Sequence, residues 1–499
     1  MHSTVVKKGI KNLKAGLFNQ LITLVLGIVL PRLVLVTIGS EANGLLNSAN
    51  QAVVYLALLE GGIGWSITQS LYGPVARKDT DEINGIMSAS NIFYKNVGKL
   101  YLLGTIIVAF AYTALVQTSL TKTTVFIVVV LTALPQAINF WFQGKYRTLL
   151  SVDGRGSVLS NLNTVVYIGT SFSKIALLLS GFNVIALQVM YCCFSLAQMI
   201  FITYYVKKVY PWLNIKVKPL KEKIGQRKSV FIHQISGFIF SNTDMVLLSV
   251  FCNLKIVSVY AMYNMFASMI NTLIGNVTGS VTFAMGQKYN TDREGYLKYH
   301  YLYETICMVL VFSLDFVLLL CILPFLKIYT KGITDINYID GILPWLFIAI
   351  QMLQYGRVAS QKVIEYAGAF KDTQWHSVIE MVVNILVSVT GVIKFGIYGV
   401  LLGTIVSLGI RCILMIYYSS RKILCISQKR VYVKWGINIL IFAVLYFIMS
   451  QITVVLDSYI KIVIYAVVLL MVSVISFGGC ALVYDKEFRG FIRSRLSRG

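Results

Sequence analysis

The sequence predicts an all-α polytopic membrane protein with about fourteen transmembrane helices. Hydrophobic residues make up 57% of the 499 residues and charged residues only 13%, so a soluble domain of this length would lack a polar surface. The apolar stretches are continuous and each is long enough to cross a hydrocarbon core of about 30 Å. Continuous runs indicate helices, because the strands of a membrane barrel are alternating segments of about ten residues.

Fourteen such stretches follow one another along almost the whole chain. The predicted spans are 15–37, 44–72, 92–117, 124–149, 157–180, 183–206, 229–252, 256–285, 297–326, 341–370, 375–393, 397–420, 433–454 and 462–484. Four lysines precede the first span, as in a signal peptide, but the apolar run is too long and no small-residue cleavage site follows. We expect it to be the uncleaved first helix.

The basic residues indicate how the chain is oriented. With the amino terminus in the cytoplasm, the loops that are dense in Lys and Arg fall on the cytoplasmic side, and the other side has only scattered lysines such as Lys122 and Lys255. This bias predicts a multi-pass protein with both termini in the cytoplasm. The net charge of +24 is then explained by topology and by contacts with anionic membrane lipid, and no nucleic-acid partner is expected.

The longest polar segment divides the predicted spans into two groups. It carries two prolines and eight basic residues, as expected of a cytoplasmic linker. The predicted parts are an N-lobe of six spans, the linker, a C-lobe of six spans, and two further spans with a basic tail: 1–206, 207–228, 229–420 and 421–499.

The sequence carries no recognisable motif for soluble-enzyme chemistry or for metal binding. The eight cysteines and four histidines form no CxxC or Cys/His ligand pattern, so we expect no metal and no cofactor. The sequence has no catalytic triad pattern and no phosphate-binding P-loop. We expect a protein that is not an enzyme and does not itself hydrolyse ATP.

Charged residues at membrane depth are costly, which makes each one a candidate functional residue. They are Arg32, Glu60, Lys174, Asp244, Asp315, Arg357, Glu365, Glu380 and Arg411. Span ten carries a polar stripe, which occupies an arc of about 120° at the helical period and comprises Gln351, Gln354, Arg357, Gln361 and Glu365. Such a stripe predicts a hydrated cavity. The alternative is that these polar groups join helices to one another and that a buried Arg and Glu simply pair.

The first two spans resemble a known family. Residues 31–79 read PRLVLVTIGSEANGLLNSANQAVVYLALLEGGIGWSITQSLYGPVARKD. Pro31-Arg32, Gly44 at the start of span two, the run 58–64 and the basic pair Arg77-Lys78 resemble the polysaccharide transporter family. These flippases for O-antigen and capsule repeat units belong to the multidrug/oligosaccharidyl-lipid/polysaccharide (MOP) exporter superfamily. A second similar segment is 234–260, and the fourteen-span layout also matches.

The resemblance implies two six-helix lobes around a central cavity that opens to one side at a time. It also implies an undecaprenyl-diphosphate-linked oligosaccharide as substrate and the bacterial cytoplasmic membrane as location. A glycan polymerase and its chain-length machinery are candidate partners, and we expect the chain to function as a monomer. Cations suit a diphosphate, amides suit sugar hydroxyls, and carboxylates suit a coupling ion or partner the cations. The candidates are Arg32, Lys174, Arg357 and Arg411 for the headgroup, Gln354 and Gln361 for sugars, and Asp244, Glu60 and Glu365 for the ion.

Three other functions stay open. A multidrug exporter of the same superfamily would share the architecture but would use acidic residues for cationic drugs. A flippase for the peptidoglycan lipid precursor would share the span count and the anionic headgroup. A membrane glycan polymerase or ligase is disfavoured, because such enzymes generally carry a large outer loop and the longest one here lies around 327–340.

Overall fold

The computed structural model describes residues 22–23, 25–61, 63–220, 222 and 228–496. All regular secondary structure in these residues is helical. The predicted first span is therefore described only from residue 22, and the four lysines before it lie outside the described residues. The linker is described as far as residue 220 and at 222 and 228, and residues 210–220 contain no helix.

The described contacts group the chain into two compact units, one ending at Ser258 and one beginning at Val259. The predicted lobe boundaries, which start the C-lobe at 229, stay a prediction. The helices up to the unit boundary are α1 Val25–Thr37, α2 Ser40–Val54, α3 Ile63–Arg77, α4 Thr80–Leu115, α5 Lys122–Ile138, α6 Gly144–Val152, α7 Gly156–Leu179, α8 Val184–Val209 and α9 Lys228–Phe251.

The boundary falls within α10, and the remaining helices belong to the second unit. They are α10 Leu254–Thr291, α11 Arg293–Tyr329, α12 Leu343–Gly356, α13 Val358–Tyr366, α14 Phe370–Phe395, α15 Ile397–Tyr417, α16 Lys429–Ser450, α17 Tyr459–Tyr484 and α18 Lys486–Leu496. Short π-helical turns at Asn139–Gln143 and Tyr418–Leu424 extend the path of two helices without a break.

Nine helical segments among the described residues are long and apolar enough to cross a membrane. They are Thr80–Leu115, Lys122–Val152, Gly156–Leu179, Val184–Val209, Arg293–Tyr329, Phe370–Phe395, Ile397–Leu424, Lys429–Ser450 and Tyr459–Tyr484. Each covers most of one predicted span, and the total of fourteen stays a prediction. The helix predicted at 92–117 begins earlier, at Thr80, because the Asp79 carboxylate accepts a hydrogen bond from the Glu82 amide at 3.0 Å and starts a polar first turn.

The predicted span 44–72 is not one continuous helix. α2 passes into a 3₁₀ turn at Tyr55–Glu60, which ends at Gly61 with a φ of 59°. A left-handed backbone favours glycine, because other residues meet their own carbonyl there. The glycine-rich run 61–64 of the sequence predicts a bend of this helix, and the structure has one at Gly61. Gly62 lies outside the described residues.

The predicted span 341–370 is also interrupted. α12 ends at Gly356 and α13 begins at Val358, with Arg357 between them. Gly356 is in tight contact with α16, because a Cβ atom placed on it would lie 1.8 Å from Cζ2 of Trp435. The single helix expected across this region is corrected to two helices that meet at Arg357, and glycine's low helix propensity favours the end of α12 at this point.

The pair α14 and α15 forms an antiparallel hairpin in the second unit. Gly396 turns the chain with a φ of 55°, and Gly391 lies so close to Gly399 that a Cβ on the latter would be 2.1 Å from the Gly391 carbonyl carbon. Further from the turn, the Asn384 side-chain amide donates to Thr404 Oγ1 at 3.1 Å. Small and polar residues at the contact let membrane helices approach closely.

Candidate functional site

Arg357 occupies the junction between α12 and α13, where the helical backbone is interrupted. Its φ and ψ are −94° and −9°, and its carbonyl still accepts a hydrogen bond from the Gln361 amide at 2.8 Å. The side chain is 12% exposed. The end of α12 against Trp435 therefore places a guanidinium in the interior of the second unit.

Two arginines converge on one carboxylate in this unit. Glu380 of α14 is 1% exposed and accepts a hydrogen bond through Oε1 from Arg357 Nη1 at 2.8 Å. Its other oxygen, Oε2, accepts from Nη1 of Arg411 on α15. Arg357 is 23 positions and Arg411 is 31 positions from Glu380 in the sequence. The fold therefore brings together two of the four predicted headgroup cations.

The charges in this cluster do not balance. Two guanidiniums face one carboxylate, so the Arg357–Glu380–Arg411 cluster carries one excess positive charge, and the side chains are at most 12% exposed. The Nε–H of Arg357 is buried and has no hydrogen-bond partner among the described residues. A buried charge that lacks a partner is costly, so the cluster has the electrostatics and a free donor that an anionic ligand would use.

The neighbouring polar residues of α14 serve a different purpose. Thr373, Ser377, Glu380, Asn384 and Ser388 recur every three or four residues and form one buried face. Most of the neutral members have local partners: the Asn384 side-chain amide donates to Thr404, and Ser388 Oγ donates to the Val400 carbonyl at 3.3 Å. Asn384 Oδ1 has no hydrogen-bond partner among the described residues. Helix joining explains these residues, whereas it does not explain the excess cation at Glu380.

The other members of the predicted stripe lie on both sides of Arg357. Gln354 on α12 and Gln361 on α13 are half-buried. Gln361 Nε2 donates to Glu365 Oε1 at 3.0 Å, and Lys362 Nζ lies 2.7 Å from Glu365 Oε2. Among the headgroup cations, Glu365 has none as its partner in these contacts: it pairs with Lys362, and the carboxylate that binds Arg357 and Arg411 is Glu380.

The remaining candidates lie in the first unit. Arg32 is half-buried on α1 and Asp244 is buried on α9. Lys174 on α7 lies with Nζ 5.3 Å from the ring centroid of Tyr191, a distance at which the aromatic face attracts a cation. Glu60 ends the 3₁₀ turn and accepts a hydrogen bond from the Tyr94 hydroxyl at 2.9 Å. Gly64 leaves room for this carboxylate, because a Cβ there would lie 2.2 Å from Glu60 Oε1.

A second buried ion cluster was missed by sequence reasoning. Lys434 of α16 is 2% exposed and lies 2.9 Å from Glu304 of α11 and 2.8 Å from Asp485 at the end of α17. Asp485 lies just outside the spanning helix, and although burial opposes its charged form, hydrogen bonds from Lys434 and Thr305 lower its pKa to about 2. Glu304 and Lys434 fall in the predicted spans 297–326 and 433–454, and their opposite charges were the available signal.

Asp315 of α11 is a further buried carboxyl. It is fully buried, and neither of its oxygens has a hydrogen-bond partner in the part of the chain that the structure describes. Among those same residues, no group of three or more His, Cys, Asp and Glu side chains is arranged to hold a metal ion.

Comparison with known proteins shows similarity in structure. No family model matches the sequence, and no curated protein matches it. The lipid II flippase MurJ in an inward closed conformation is similar with a TM-score of 0.66 and 12% identity, over 93% of this chain and 99% of that chain. An inward-facing multidrug resistance MATE family transporter of the MOP superfamily gives a TM-score of 0.59 and 15% identity, over 80% and 94%.

A third structure agrees with these two. The MATE multidrug transporter DinF-BH, in a ligand complex, gives a TM-score of 0.60 and 13% identity, over 82% of this chain and 94% of that chain. At such identities the likeness shows the fold. The chain has the helical membrane-protein fold of these transporters, which confirms the prediction at the level of the fold.

Proposed function

We propose that this protein is a flippase for an undecaprenyl-diphosphate-linked oligosaccharide repeat unit. It moves the lipid-linked unit from the inner to the outer face of the bacterial cytoplasmic membrane by alternating access, coupled to an ion gradient. The diphosphate and sugars cannot cross hydrocarbon unaided, because shedding their hydration costs too much free energy. A protein with a buried anion site in a membrane-spanning fold meets that need.

The observation that carries this proposal is the convergence of Arg357 and Arg411 on Glu380. Guanidinium groups bind phosphate oxygens through charge-assisted and often bidentate hydrogen bonds. Two of them in one buried place, with one excess positive charge, match the two adjacent phosphates of a diphosphate. Cationic drugs would be repelled from the same place, which disfavours a multidrug exporter.

The other candidates have roles in the same proposal. Gln354 and Gln361 lie before and after Arg357 along the chain, and their amides can donate to and accept from sugar hydroxyls. Arg32 and Lys174 are further cations for the headgroup during its passage. Asp244, Glu60 and Glu365 are the candidate ion-coupling carboxylates, with Glu365 held by Lys362 in this structure.

A flippase for the lipid-linked peptidoglycan precursor is the second candidate. The similarity to MurJ over 93% of this chain supports it, since that protein is described as a lipid II flippase. Both substrates present a diphosphate on a polyprenyl chain, so the arginine pair serves either one. The sugar attached to the diphosphate distinguishes the two functions.

The experiment is transport of a fluorescent undecaprenyl-diphosphate oligosaccharide in proteoliposomes. Arg357→Glu should abolish transport and leave folded protein in the membrane, because the reversed charge repels the diphosphate. Arg77→Glu is the matched control: this arginine also pairs with a glutamate, at 2.8 Å, but its side chain is 63% exposed, and we expect near-normal transport. Normal transport by Arg357→Glu would exclude the assignment of this arginine to the headgroup.

A further inference from the structure

We infer that Glu380 is an internal counter-anion that occupies the arginine pair between transport events and is displaced from it by the incoming diphosphate. On this inference Glu380 lowers the affinity of the site for diphosphate and speeds product release by returning to Arg357 and Arg411. This inference rests on the proposed function and extends it, because it describes how the same site releases its anionic substrate.

The first step of the argument is the way the carboxylate is held. Each oxygen of Glu380 binds a different guanidinium, Arg357 through Oε1 and Arg411 through Oε2. This bridging arrangement is what a phosphate group with two free oxygens would make with the same two arginines. Glu380 therefore occupies the positions that the ligand needs, and the two anions compete for the same donors.

The second step is charge. The two arginines and Glu380 sum to one positive charge, whereas the diphosphate of a polyprenyl glycan carries one negative charge on each phosphate. If Glu380 stayed in place, the loaded site would hold three negative charges against two positive ones at low exposure, and like charges repel strongly in such surroundings. If Glu380 withdraws, the two positive charges of the arginines balance the two negative charges of the diphosphate.

The third step is that the exchange can begin before Glu380 leaves. The planar guanidinium has five N–H donors, and the Nε–H of Arg357 is buried without a partner in the described part of the chain. An arriving phosphate oxygen can accept from this donor while Nη1 still binds Glu380. Because the donors are exchanged one at a time, neither arginine is ever buried without an anionic partner. Such an unpaired buried charge would cost a large amount of free energy.

The fourth step separates this role from a structural one. The α14–α15 hairpin has its own contacts, which include Asn384 with Thr404, Ser388 with Val400 and the close approach of Gly391 to Gly399. Replacing Glu380 by glutamine keeps the side-chain shape and one oxygen acceptor. A purely structural Glu380 would make this variant less stable and less active, but would not make it bind diphosphate more tightly.

The test measures binding and turnover separately. Inorganic pyrophosphate is titrated calorimetrically into the purified wild-type chain, Glu380→Gln, Glu380→Asp and Arg357→Gln, and transport is measured in proteoliposomes. We expect Glu380→Gln to bind pyrophosphate at least tenfold more tightly, with lower KM and lower kcat for transport. Glu380→Asp, whose shorter side chain cannot hold both guanidiniums, should also bind pyrophosphate more tightly than the wild type, but by less than Glu380→Gln. Glu82→Gln, which removes the carboxylate of the exposed Arg77 pair, should change neither quantity.

The outcomes are distinguishable. Unchanged or weaker pyrophosphate binding by Glu380→Gln, together with lost binding by Arg357→Gln, would overturn the counter-anion role and leave the proposed function standing. If Glu380→Gln does not fold, unchanged or weaker pyrophosphate binding by Glu380→Asp overturns the role in the same way. Unchanged pyrophosphate binding and transport in Arg357→Gln would refute the proposed function itself.

Discussion

Lys434 and Asp485 form an ion pair of 2.8 Å in the second unit, where their side chains are 3% and 0% exposed. Glu304 shares the same ammonium group at 2.9 Å. The pair joins α16 to the end of α17, and Glu304 extends the cluster to α11. A cluster of this kind holds helices in one arrangement, because an unpaired charge at such burial is strongly unfavourable.

Replacing Lys434 should therefore destabilise the protein. Lys434→Met leaves Glu304 without its cation and Asp485 with only the 3.3 Å contact to Arg430. We expect the free energy of unfolding to fall by about 3–5 kcal/mol. Thermal denaturation in detergent measures the change. Lys461→Met is the control, because its pair with Asp457 is more than half exposed on both side chains; equal shifts in the two variants would contradict the account.

The contact between Gly356 and Trp435 predicts a second effect. Gly356→Ala places a Cβ 1.8 Å from the indole ring, and the overpacking should cost about 1–3 kcal/mol. Trp435→Phe in the same chain should recover part of this loss, since it removes the ring that holds Cζ2. Gly409→Ala on α15 meets no atom within 4 Å and should be tolerated; a Gly356→Ala variant as stable as Gly409→Ala would refute the contact.

The arginine pair should respond non-additively to substitution. Arg357→Gln and Arg411→Gln each leave one guanidinium on Glu380, whereas the double variant leaves a buried carboxylate unpaired. We expect the double variant to lose about 0.5–3 kcal/mol more stability than the two single losses together. Adding Glu380→Gln to the double variant should restore much of the lost stability, because the buried carboxylate is then removed. Strict additivity in denaturation experiments would show that the three side chains do not act as one cluster.

Glu60 offers a test of ion coupling. Its carboxylate accepts from Tyr94 and lies against Gly64, so Glu60→Gln keeps the shape and removes the charge. We expect transport by this variant to continue without responding to an imposed proton or sodium gradient across proteoliposomes. Glu82→Gln should respond as the wild type does. A wild-type response to both gradients in Glu60→Gln would remove Glu60 from the coupling residues.

The sequence predicts those features that depend on one helix at a time. Apolar length predicts where the nine membrane-length helices among the described residues lie. The stripe of Gln354, Arg357 and Gln361 was derived for one continuous helix and stays a prediction, because the helix is interrupted at Arg357. The glycine run after Glu60 predicts the bend at Gly61. These signals are local, because each comes from residues within a few turns of one another.

Features that depend on contact between helices were not predictable in the same way. Glu380 was recognised as a charge at membrane depth, but its two arginine partners are 23 and 31 residues away. Lys434 lies at the basic start of the predicted span 433–454, and its partner Glu304 is 130 residues distant. The break at Arg357 coincides with the contact between Gly356 and Trp435, a residue on another helix.

The most direct test of the central claim uses cells that lack this protein. Lipid-linked oligosaccharide is quantified on each face of the cytoplasmic membrane, with the gene absent, restored as wild type, or restored as Arg357→Glu. We predict that a completed diphosphate-linked repeat unit accumulates on the inner face in the first and third cases and clears in the second. No accumulation in any of them, with altered drug susceptibility instead, would contradict the flippase account.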